Sequence, residues 1–152
     1  MKKIFKYIMV IFLLLIIPVA LLYVPIGNNI ILKMHSNELK HFKLNATYKI
    51  LAADNECGKL VGNGNGMQYF SALLIQSNED LIWENNDWEG VFLIEVNDAS
   101  FYDFINGYDY GDYCKNIKKK LREIGDSENY YVLYSFKNAP FDSIWNNDLR
   151  AH

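Results

Sequence analysis

The chain has 152 residues and a formal net charge of −3, and 15 % of it is aromatic, with 11 Tyr, 9 Phe and 3 Trp. So much apolar surface excludes low-complexity disorder, and the length suits one domain. Residues 27–152 carry 12 basic and 18 acidic side chains, which excludes nucleic acid as a partner because phosphates need a basic surface.

The first element is a transmembrane helix. Twenty residues without a charge run from Tyr7 to Ile26, about 30 Å as a helix, the thickness of a bilayer's hydrocarbon core. Pro18 precedes Ala20, a poor small-x-small cleavage site, so an uncleaved signal-anchor is expected over residues 1–26. Lys2, Lys3 and Lys6 crowd the start, whereas Lys33 is the next base after the span. The positive-inside tendency then puts the N-terminus in the cytoplasm and the rest outside, as a single-pass protein of the cell membrane.

Residues 27–45 read as a juxtamembrane connector, partly helical, because Ile31, Met34 and Leu39 hold no clean period. An extracytoplasmic domain, 46–152, follows. Strands are expected at 47–53 (TYKILAA), 67–77 (MQYFSALLIQS), 90–96 (GVFLIEV) and 130–136 (YYVLYSF). Ser77 with Asp80 resembles a weak capping box before one or two helical turns at "LIWENN". The stretch "GNGNG" at 62–66 matches neither G-x-G-x-x-G nor the Walker pattern, so it reads as a hairpin turn and not as a phosphate cradle.

Residues 99–113 read as a strand end and a long turn. In "CKNIKKKLREIG", Cys114, Ile117, Leu121 and Ile124 share one helical face and Gly125 suits the C-cap. A short last helix is expected at "FDSIWNNDL". The sum is an α+β domain with a mainly antiparallel sheet of about four strands and a few helices.

Two cysteines, Cys57 and Cys114, in an oxidising compartment predict one disulfide. They form no zinc pattern with the three His, and no metal or other cofactor is implied. His35, His41 and His152 neighbour no nucleophile motif, which argues against a catalytic triad.

The charge pattern points to a partner instead. No Lys, Arg or His occurs between Lys59 and Lys115, while ten acids do. Within that stretch Tyr102, Asp103, Tyr108, Asp109, Tyr110, Asp112 and Tyr113 form a tyrosine-aspartate tract suited to a cationic protein. The expected function is therefore a non-catalytic, membrane-anchored binding domain with an inhibitor or immunity-type role. Two alternatives are a carboxylate-dependent hydrolase of cell-wall glycan and an accessory subunit of a membrane complex recognised through the anchor.

Overall fold

A computed structural model describes residues 2–60, 66–82, 90–106, 111–125, 129–139 and 145–152. Helix α1 (Lys2–Lys40) is followed by β1 (Tyr48–Gly58), β2 (Gln68–Ser77), β3 (Val91–Glu95), α2 (Ala99–Asn106), α3 (Lys115–Ile124) and β4 (Tyr130–Asn138). Short 3-10 turns stand at Gly111–Tyr113 and Leu149–Ala151.

The strands form one sheet of order β1-β2-β4-β3 with every neighbouring pair antiparallel. The α+β reading with four antiparallel strands therefore holds. The chain leaves β2, builds β3 two places away, crosses over through α2 and α3, and returns as β4 in the gap. Both central strands are covered on two faces, which is why β2 reads as an unbroken apolar run and not as an alternation.

Alternation along each strand sorts the side chains into two cores. Phe70, Ala72, Leu74 and Val132 face α2 and α3, meeting Phe101, Phe104, Ile105 and Ile117. Leu73, Ile75, Tyr131 and Leu133 face the other way and meet Leu39 of α1. Tyr69 and Cys57 share that second face, with Ile31, Leu32 and Trp145 beside them. The order of layers is helix, sheet, helices.

Helix α1 has two halves of different character. From Ile4 to Ile17 its large side chains are exposed, and its most apolar stretch has a mean hydropathy of 2.9, enough in length and composition to cross a membrane. From Val24 onward one stripe is buried: Val24, Asn28, His35, Ser36 and Leu39. Their spacing is helical, and the stripe lies on the sheet. Residues 27–40 are thus one continuous helix and a wall of the core, where the sequence suggested a connector. Pro18 and Pro25 lie inside α1. Pro25 offers no N–H to the carbonyl four residues back, which removes one helical bond without ending the helix.

Three other local readings change. Residues 99–106 are helical where a strand end was expected, because Phe101, Phe104 and Ile105 supply a helical apolar face. Ser77 does not cap a helix: its Oγ accepts from the Glu79 amide at 3.1 Å and donates to the Thr47 carbonyl at 3.2 Å, a turn that ties β2 to the start of β1. Leu81 and Ile82 are not helical, and the rest of "LIWENN" lies outside the described residues.

The predicted disulfide is absent: Cys57 and Cys114 are both free and both buried. Cys57 is three residues from Asp54 along β1, hence on the opposite face of the sheet, and Asp54 is the residue that reaches α3. The sheet itself separates the two sulfurs. Helix α3 is pinned differently. Asp54 accepts from the Asn116 amide at 3.1 Å and from the Ile117 amide at 2.8 Å, capping α3 from a neighbouring strand. At the other end Gly125, at φ 68°, takes the expected cap position and donates its amide to the Leu121 carbonyl.

Candidate functional site

The sheet register defines two ends of the domain. Gly58, Gln68 and Asn138 pair at one end, and Tyr48, Ser77 and Tyr130 stand at the other. The first end is near the exposed apolar half of α1, because Arg150, which accepts the Lys59 amide on its carbonyl, also reaches Asn29 and Pro25. The second end is far from it, beside Leu39 and Phe42.

The described residues of the tyrosine-aspartate tract stand on two elements, α2 and the 3-10 turn. Tyr102 and Asp103 project from α2 into solvent, Tyr102 with 61 % of its surface exposed. Asp112 is exposed in the 3-10 turn, but Tyr113 is half-buried and its hydroxyl donates to the Leu60 carbonyl at 3.1 Å, which fixes that turn at the near end. Tyr108, Asp109 and Tyr110 lie outside the described residues. The turn also abuts the basic helix: Lys118 Nζ would be 3.3 Å from a Cβ on Gly111. Asp112 is therefore placed beside cationic charge of its own chain.

Of the other described acids of the base-free stretch, Glu79 and Asp80 lie in the turn after β2, and Glu95 and Asp98 lie where β3 leads into α2. Glu95 ends β3 opposite Tyr131, and Asp98 opens α2, its Oδ1 accepting from the Ser100 amide at 3.3 Å. Glu95, Asp98, Tyr102 and Asp103 are all exposed at this β3–α2 corner. Phe92, 47 % exposed, stacks on Tyr134 at 5.0 Å between ring centroids and extends the corner along β3. Asp98, Tyr102 and Asp103 stand on α2, on the side of the sheet that also carries Phe92, whereas Glu95, three residues from Phe92 along β3, points to the other side.

The densest polar cluster was not anticipated. Asn28 of α1 is wholly buried, accepting from the Tyr69 hydroxyl at 2.5 Å and donating to Asp148 Oδ2 at 3.1 Å and to the Trp145 carbonyl at 3.2 Å. Arg150 grips Asp148 through Nη2 at 2.6 Å and Nε at 3.0 Å, and donates through Nη1 to Asn29 at 2.9 Å. The hydrogen bonds from Arg150, then that from Asn28, hold the Asp148 carboxyl down to about 2 against the opposing effect of burial. Burial, with Cys57 and Asp148 nearby, pushes the Tyr69 hydroxyl up to about 12.

This cluster clasps the C-terminal segment to α1 and has no idle acid or base. Cys57 adjoins it, its Sγ 3.9 Å from Asn29 Oδ1, but burial raises its thiol pKa, the reverse of an activated nucleophile. Burial similarly pushes Cys114 up to about 12.

Two clefts flank α1. One, about 90 Å³, lies between α1 and β4; His35, Glu38 and Phe136 are among its lining residues. His35 Nε2 is 3.4 Å from the Ser135 carbonyl, and burial lowers its pKa, so the ring is neutral near pH 7. The other, about 550 Å³, runs between α1 and Trp145 and is lined by Val19, Leu22, Tyr23, Ile26 and Ile30 above a floor at Gly27. A Cβ on Gly27 would collide with the six-membered ring of Trp145, so only glycine lets the indole seat there. Among the described residues no group of three or more His, Cys, Asp or Glu is placed to hold a metal ion.

With this geometry in hand, comparison of the chain with protein-family models, with curated proteins and with solved structures finds no match.

Proposed function

We propose that the protein is a single-pass, membrane-anchored binding domain that presents its β3–α2 corner to a cationic protein outside the cytoplasm, in an inhibitory or immunity-type role. The observation that carries this reading is the corner itself: Asp98, Tyr102 and Asp103 exposed together on α2, with Glu95 at the adjoining end of β3 on the other side of the sheet, at the end of the domain farthest from the apolar half of α1. Carboxylates there steer a basic partner, and Tyr102 and Phe92 supply rigid contact area once it docks. The anchor is the exposed apolar half of α1, with Tyr23 and Trp145 at the level of the headgroups. The tract's other half, around Tyr113, is occupied in holding its own loop and in facing Lys118, so it contributes less than Tyr102 and Asp103.

The test is capture of basic extracellular proteins by the full chain in vesicles, across a salt series. Replacing Glu95 by Gln and Asp98 and Asp103 by Asn keeps the helix cap and removes the charge. We expect capture to slow by about tenfold at low salt and to lose most of its salt dependence. Capture unchanged in rate and salt dependence would overturn the reading.

A further inference from the structure

We propose that the cleft between α1 and Trp145 is a lipid site that takes one acyl chain of a bilayer lipid and holds it above the hydrocarbon boundary. The inference rests on the membrane-anchored reading and adds a ligand to it. Its lower end, Val19 and Leu22, belongs to the apolar run, and its upper end, Ile30, lies beyond the last residue of that run at Ile26. From Val19 to Ile30 the helix rises about 16 Å, so the cleft is a track that starts among lipid tails and leaves them. Its walls are apolar throughout, and a volume of about 550 Å³ is in the range that bound small molecules fill.

Two features mark it as built. Gly27 is the one residue that allows Trp145 to stand against the helix and form the second wall. The indole N–H of Trp145 is buried and has no hydrogen-bond partner among the described residues, an unmet donor in one wall of the cleft that an acceptor such as a lipid ester carbonyl would satisfy where a small shift of the ring brings the two together. At the hydrocarbon boundary and one turn above it, Ile26 and Ile30 remain 53 % and 56 % exposed, although the polar clasp on the same helical turns is complete. Continuity with the lipid-facing surface favours a bilayer lipid over a second protein, because the track needs no opening other than the one it shares with the tails.

The experiment uses the full chain in phosphatidylcholine vesicles containing a small fraction of phosphatidylcholine with a diazirine on one acyl chain. After irradiation, adducts are mapped by peptide mass spectrometry. The expected result is labelling at Ile30 and Trp145 that saturates with probe, beside non-saturating labelling at Ile8 and Phe12. Gly27→Ala should lower the Ile30 and Trp145 adducts several-fold and leave Ile8 and Phe12 unchanged. Should that variant fail to fold, Trp145→Leu, which removes the wall and keeps Gly27, reads the same loss. Adducts confined to Ile8 and Phe12 would overturn the proposal, as would linkage of two copies through Ile26 and Ile30. Extraction with alkaline carbonate is read in parallel. Release of the chain means that the anchored reading itself has failed, whereas retention without upper adducts sinks the lipid site alone.

Discussion

Asp148 illustrates how much a single buried side chain can decide. Its carboxyl is held at about 2, against an ordinary 3.8, by Arg150 and Asn28. A depressed folded-state pKa contributes stability that is fully present above the unfolded value and is lost as pH falls through the folded one. Stability should therefore drop by about 2 kcal/mol between roughly pH 4 and pH 2, and Asp148→Asn should abolish that step in a melting series. His35 gives an earlier loss. Burial lowers its pKa from 6.5, so the unfolded chain binds the proton first and stability begins to fall as pH drops below that value. His35→Gln should remove the upper phase and leave the lower. The cysteines make a third case. Both thiols are free, buried and raised in pKa, so labelling under native conditions should be slow, denaturation should release two thiols, and a reductant should leave the melting temperature unchanged. The count of two cysteines was legible in the sequence, but which face of β1 carries Cys57 was not, and that parity decides against the bond.

At the scale of elements, those with their own apolar period were legible and those completed by polar contacts were not. Strand β2, strand β4 and helix α3 were readable because their burial is written in consecutive or helically spaced apolar residues. The second half of α1 was opaque, since its buried stripe includes Asn28, His35 and Ser36, polar residues of which Asn28 and His35 meet partners as distant in sequence as Asp148 and Ser135. Met34, one of the apolar residues that hold no clean period, faces solvent at 59 % exposure. Helix α2 was obscured by its tyrosine and aspartate, which belong to the exposed side of a helix whose other side is Phe101, Phe104 and Ile105. Asp54 lies in no sequence motif, yet it caps α3 across the sheet. Asp54→Ala should lower stability by about 2 kcal/mol, with Asp54→Asn milder, because two amides and a buried helix end lose their acceptor. Loss confined to α3 would be visible as faster amide exchange at Asn116 and Ile117.

For the molecule as a whole, the boundary of the folded unit lies inside α1 and not after it. Removing residues 1–19 takes away only the exposed apolar half, so the remainder should melt cooperatively and stay soluble. Removing residues 1–40 strips one face of the sheet, takes the Asn28 acceptor from the buried Tyr69 hydroxyl and leaves Asp148 with Arg150 alone, and that chain should show no cooperative transition by circular dichroism. The candidate site follows the same division. Acidic, aromatic composition was visible in the sequence, whereas its partition between the β3–α2 corner and a turn beside Lys118 depends on a crossover that no local pattern encodes. One consequence comes from the unbroken helix. If the apolar half of α1 crosses a bilayer as proposed, the linkage is a rod embedded in both phases, which permits neither the swivelling nor the range of heights that a tether of loose residues would allow. From Ile26 to Lys40 that rod rises about 21 Å, so in the anchored arrangement the domain would stand on a fixed-length post. Anything it meets must offer its docking surface at that elevation above the lipid, and a two-residue insertion at Lys33 would both raise the platform and turn it through more than half a revolution.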